Sequence, residues 1–159
     1  MLSLLLAVAI LVGISSTERM GEQGVAPMII AEARLGDFGA EALYTHSAKV
    51  ETGDGWLARG AVDYWDGPLS VGLGYTRRET SKWAKNVMWV RAGIKHGKLR
   101  LVTEVAPLSD YMEAKAEARL TLAHKWMRVE PRAFVGWHRM AEELGGYSYG
   151  LSLLAGWGR

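Results

Sequence analysis

Between residues 111 and 124 apolar and charged side chains alternate almost without exception. Met112, Ala114, Ala116, Ala118, Leu120 and Leu122 fall on one face, and Glu113, Lys115, Glu117 and Arg119 on the other. Intrinsic propensity would make this Ala/Glu/Lys/Arg stretch a helix. A helix, however, would scatter the apolar positions around its circumference, whereas a strand gathers them on one side. The period of two therefore predicts a strand, and the same period recurs at 28–35, 38–47, 56–65, 69–77, 86–95, 99–106, 127–138 and 147–157. So many alternating segments in one chain predict an all-β fold.

Composition narrows the class further. A chain of 159 residues is one domain's worth of protein, long enough to close a small barrel. With 49% hydrophobic and 23% charged residues it is too apolar for a disordered tail and too polar for a bundle of membrane helices. The net charge of +2, without a run of like charges, argues against a nucleic-acid partner. The absence of cysteine removes disulfides, thiolate metal sites, a cysteine nucleophile and lipoprotein acylation. Nineteen glycines, 7 Trp and 6 Tyr beside 2 Phe and 4 Pro suit short strands joined by tight turns.

The apolar run Leu2–Ile14, broken only by Ser3 and Gly13, is shorter than the ~20 residues of a spanning helix. It reads as a leader over residues 1–17, with a buried first strand or helix as the alternative. Residues 18–37 then form a tail with a possible extra strand, and 38–159 the barrel. The segment 28–35 is surplus to an even count. It is a hairpin partner through Gly36-Asp37, part of a longer first strand, or a sign of ten strands if the apolar run stays in place.

Short and long connections alternate. Asp66-Gly67-Pro68, His96-Gly97-Lys98 and Lys125-Trp126 are tight, while 48–55, 78–85 and 139–146 are long and 107–110 intermediate. That is the pattern of an up-and-down antiparallel barrel, with eight strands favoured from residue 38 and ten possible.

One face of the strands carries residues such as Val71, Leu73, Val90, Ile94, Leu101, Leu151 and Leu153, and the other carries the charges. In a membrane barrel the apolar face turns outward and the charges turn into the lumen. Arg59, Asp63, Arg91, Glu104, Glu113, Lys115, Glu117, Arg119, Arg128, Glu130 and Arg132 are then a lumen network of mixed sign, joined on the same face by Glu41 and Arg100. Tyr44, Trp56, Tyr64, Tyr75, Trp137, Tyr149 and Trp157 are an aromatic girdle. Polar-face glycines spare room in a narrow interior, so Gly72→Ser should be mild, and Val71 and Val90 are placed near mid-strand. Eight strands enclose an interior that side chains fill, without an open channel. A soluble barrel with the faces reversed is the alternative.

The pattern, together with the final segment Gly146-Tyr147-Ser148-Tyr149-Gly150-Leu151-Ser152-Leu153-Leu154-Ala155-Gly156-Trp157, resembles the small eight-stranded outer-membrane barrels of the OmpA and OmpX type. In that family the aromatic residue ends the chain, whereas here Gly158-Arg159 follow. The resemblance implies an outer-membrane location, lipid contact, a monomeric state and surface contacts through loops 48–55, 78–85 and 139–146. A periplasmic or secreted location is the alternative. Catalytic residues are not expected. His46 and Ser47 loosely resemble the base and nucleophile of lipid A deacylase barrels, where the spacing is H-x-S followed by asparagine. Here the two are adjacent and followed by Ala48, and adjacent strand residues point to opposite faces. No histidine spacing suggests a metal, and no cofactor is implied.

Overall fold

The computed structural model describes residues 6–19, 22–49, 53–80, 84–106, 111–140 and 146–158. Side chains are described for all of these except residues 6, 17–19, 22–23, 47–49, 53–54, 80, 85, 111–113 and 138–140. The chain forms β1 (Leu6–Arg19), β2 (Glu22–Leu35), β3 (Phe38–Lys49), β4 (Gly53–Asp66), β5 (Leu69–Thr80), β6 (Ala84–His96), β7 (Leu99–Ala106), β8 (Tyr111–Leu120), β9 (Leu122–His124), β10 (Met127–Met140) and β11 (Gly146–Gly158). Strands β1 to β8 each pair antiparallel with the next, β8 pairs with β10, β10 with β11 and β11 with β1, so the sheet closes on itself. The closed barrel has ten strands plus the three-residue β9, which pairs only with β10. β8 and β9 are in line with each other: Arg119 faces Arg132 and Leu122 faces Val129. The break at Thr121 lies beside Pro131 on β10, which has no amide hydrogen to give to a ladder.

The count of eight strands is thus corrected to ten, and the reason lies at the N-terminus. The segment read as a leader is in the structure β1, and the segment read as tail and surplus strand is β2, joined to β3 by a turn at Gly36-Asp37. Val8, Ile10, Val12 and Ile14 face outward, while Leu11 on β1 packs inside against Ile30 of β2 and Leu154 of β11, with Met28 and Leu43 around them. Both faces of β1 are apolar in this sector, which hides the period of two.

Four two-residue turns, at 36–37, 67–68, 97–98 and 125–126, lie at one end of the barrel. The first residue of each has positive φ: Gly36 (59°), Gly67 (56°), Gly97 (58°) and Lys125 (54°). Glycine adopts this conformation freely, and lysine does not. At the opposite end the strands run further than the sequence indicated. β3 reaches Lys49 and β4 starts at Gly53, β5 reaches Thr80 and β6 starts at Ala84, and β10 reaches Met140 and β11 starts at Gly146. Of the expected loops, 50–52, 81–83 and 141–145 lie outside the described residues, as does 107–110.

Burial is inverted relative to a soluble barrel. Val62, Leu73, Val90, Leu101, Val105, Val135, Leu151 and Leu153 are exposed on the outer wall, whereas Glu41, Asp63, Arg91, Glu104, Glu117, Arg119, Glu130 and Arg132 are buried inside. Exposed aromatics fall in two bands. Phe38, Tyr64, Trp126 and Trp157 lie by the tight turns, and Tyr44, Tyr75, Tyr147 and Tyr149 toward the other end, beside the half-buried Trp56 and Trp137. From Tyr64 to Trp56 along β4 is about 20 Å of barrel height at the usual rise and tilt, close to the apolar band of a bilayer.

Candidate functional site: the charged lumen

The inward positions of β2, β3, β4, β6, β7, β8 and β10 carry the charges, and the register sets them at one level. Arg91 on β6 is at the centre, with no exposed side-chain surface. Its guanidinium donates to Glu41 of β3 at 2.8 Å, Asp63 of β4 at 3.0 Å and Glu104 of β7 at 3.0 Å. Glu104 also takes Arg59, and Asp63 also takes Arg100 at 3.0 Å. Glu41 is shared with Arg119 of β8, which in turn holds its own-strand neighbour Glu117. Glu117 accepts from Lys115 and lies 3.6 Å from Arg132 of β10. On the far side Glu130 binds Arg128 and Arg132, and both arginines reach across to Glu32 of β2, at 2.7 and 3.2 Å. Thr121 completes Glu130 with a hydrogen bond of 3.1 Å.

The result is a continuous lattice of guanidiniums and carboxylates of nearly balanced sign. Balance is needed, because an unpaired charge in a confined interior costs several kcal/mol. Here each carboxylate has at least two cationic neighbours. Two tryptophans face the lattice from above and below. Trp89 lies against Gly74, its cross-strand partner, with Arg59 at 3.8 Å and Arg91 at 5.1 Å from its ring centre and Nε1 donating to Thr76 at 2.9 Å. Trp65, nearer the tight turns, is flanked by Arg100 at 4.6 Å and Arg34 at 5.6 Å. Such stacking adds to the hold on each arginine.

Twelve of the charged positions read from sequence, Glu41, Arg59, Asp63, Arg91, Arg100, Glu104, Lys115, Glu117, Arg119, Arg128, Glu130 and Arg132, lie in this lattice. The side chain of Glu113 lies outside the described residues. Sequence reasoning missed Glu32, which sits in the segment left unassigned, and the inward direction of Trp65 and Trp89. A tryptophan directly opposite a glycine on the next strand is a signal that register, once known, would have supplied. Two smaller readings are corrected. Val71 lies beside Tyr64 near the tight turns and not at mid-strand. Gly72 has no spare room, since a Cβ there would come within 2.5 Å of the Val62 carbonyl oxygen and 2.3 Å of the Asp63 carboxylate.

His46 is exposed on the same outward side of β3 as Tyr44, and the side chain of Ser47 lies outside the described residues. Among the described residues no cluster of His, Asp or Glu is arranged to hold a metal. What the arrangement can do chemically is bind its own strands together across the lumen.

No protein-family model matches the chain, and no curated protein matches it. Solved structures do. The Neisserial surface protein A (NspA) is similar at 13% identity and a TM-score of 0.44, over 96% of each chain. The outer membrane protein OpdK from Pseudomonas aeruginosa is similar at 11% identity and a TM-score of 0.41, over 92% of this chain and 62% of that one. OccK2 (OpdF) from Pseudomonas aeruginosa follows at 11% identity and 0.37, over 86% and 56%. The chain spans less than two thirds of the length of OpdK and OccK2.

Proposed function

We propose that this chain is an outer-membrane β-barrel that spans the bilayer as a monomer, with a plugged lumen, no open pore and a structural or surface-interaction role. The observation that carries the reading is the inverted distribution of side chains, with a charge lattice buried inside and a wall of exposed Val, Leu and Ile between two aromatic bands. In water that wall would be an association-prone surface, and in lipid it is the expected one. The lattice crosses the lumen from β2 and β3 to β6, β8 and β10, which argues for a plug and against a conduit. The loops within 48–55, 78–85 and 139–146, at the end away from the tight turns, are the surface left for a partner, because recognition concentrates on loops held by a rigid scaffold. Catalysis forms no part of the reading.

Membrane fractionation followed by gel mobility with and without boiling tests the location, and single-channel recording in planar bilayers tests the plug. The expected results are a membrane-bound, heat-modifiable protein and no discrete conductance. A protein that remains folded and monomeric without detergent would overturn the reading.

A further inference from the structure

On the outer wall a groove of about 510 Å³ runs over β2–β5. Register explains its shape. One row across the strands reads Ala31, Ala42, Gly60, Tyr75, and the row above it, away from the tight turns, reads Ile29, Tyr44, Ala58, Arg77. Ala58 and Gly60 make the floor, Tyr44 and Tyr75 the two walls, and Trp56 closes the upper end. A Cβ on Gly60 would meet nothing within 4 Å, so the floor lies open to the outside. The lining is almost wholly apolar, and the groove is open along its length.

The rim is different. Arg77 stands over the Trp56 ring at 5.7 Å, half exposed, with one Nη on Glu79 at 3.0 Å. Asn86, directly opposite Arg77 on β6, accepts the Tyr75 hydroxyl through Oδ1 at 2.6 Å, which turns its amide N–H₂ toward donation. A guanidinium and an amide donor thus stand at the level of the upper aromatic band, where a bilayer has its phosphates, above an apolar trough at the level where it has its chains. Hydrocarbon can fill such a trough, whereas water in it would find no hydrogen-bond partner. We infer that this groove seats one acyl chain of an anionic phospholipid, with the phosphate held by Arg77 and Asn86. The inference rests on the membrane reading above and deepens it by naming a lipid class and its seat.

The test uses the full chain inserted in nanodiscs of phosphatidylglycerol and phosphatidylcholine, with heat-modifiable mobility as the check on insertion. Lipids that stay with the protein on release from the disc are then counted by native mass spectrometry. The wild type should retain phosphatidylglycerol over phosphatidylcholine. Gly60→Leu, which meets open space and so leaves the barrel intact, should abolish retention of both. Arg77→Gln should keep the chain but reduce the preference by roughly twofold to fivefold, the range of an exposed ion pair. Ala92→Leu, on the outer wall away from the groove, should change nothing. Failure to insert would overturn the membrane reading and this inference together. Normal insertion with equal retention by wild type and Gly60→Leu, or with no preference between the two lipids, would overturn this inference alone.

Discussion

Replacing Glu117 with leucine is the sharpest probe of the lumen. Glu117 is buried, accepts from Lys115 and Arg119, and has Arg132 at 3.6 Å. Its loss falls unevenly on these three. Arg119 keeps Glu41, and Arg132 keeps Glu130 and Glu32, but Lys115 loses its one direct ion pair and is left with the Phe134 ring at 4.8 Å and the more distant attraction of Glu104, its partner across the strands. Removing one member of a buried ionic group costs about 3–5 kcal/mol. The leucine's own burial returns a fraction of that. The expected net loss is about 2–4 kcal/mol, read as a lower urea midpoint at unchanged slope for protein refolded into vesicles, with tryptophan fluorescence and gel mobility agreeing. The double variant Glu117→Leu with Lys115→Leu removes the orphaned cation and should recover about 1–2 kcal/mol of the loss. A change under about 0.5 kcal/mol in the single variant would mean that water screens these charges as it does on a surface. The lattice would then not be the plug described above.

Three other expectations concern the wall, a crowded glycine and a turn. Val90→Arg, at mid-height on the outer wall, should destabilise the inserted barrel by about 2–4 kcal/mol, and Val71→Arg, beside Tyr64, by about 1 kcal/mol or less; equal costs in a vesicle urea titration would refute the placement of the two levels. Gly72→Ala should lower stability by more than about 2 kcal/mol, because its Cβ would press on the Val62 backbone, while Gly60→Ala should be neutral within about 0.5 kcal/mol; similar thermal midpoints for both would contradict the lumen geometry. Lys125→Gly relieves a positive φ of 54° and should stabilise by up to about 1 kcal/mol, and a lowered urea midpoint would show that the turn is not strained.

How much of this was legible depends on whether the two faces of a strand differ chemically. Where Leu73, Val90 and Leu101 look outward and Gly72, Arg91 and Arg100 inward, the alternation gave the strand and its two faces, and the aromatic girdle and polar-face glycines pointed to which face is outside. On β1 the inward Leu11 is as apolar as Val12 outside, so no period of two survives there, and the alternating segment 28–35 was left surplus, without a partner strand on that side. Glu32 was lost with that segment. The lattice members on β4 and β6–β10 were readable as a set because a charged face needs compensation, but which carboxylate meets which guanidinium depends on register and on crossing the lumen. Arg132 meeting Glu32, 100 residues away in sequence, is of that kind. Strand ends near the long loops were misjudged because Lys49, Gly53 and Thr80 carry turn-like composition while the ladder continues through them.

The pairing of β1 with β11 also sets the order of events in folding. Ser15 and Ser152 share a hydrogen bond across that seam and are 137 residues apart in sequence, so bringing them together costs about 4 kcal/mol of chain entropy in the length-dependent part alone. Until β11 has docked on β1, the two outermost strands of the open sheet both present bare amide and carbonyl edges to any other chain. Closure is therefore the last step and a slow one, as expected when contacts are so far apart in sequence. The half-finished molecule, and not the finished one, is the state most exposed to mispairing.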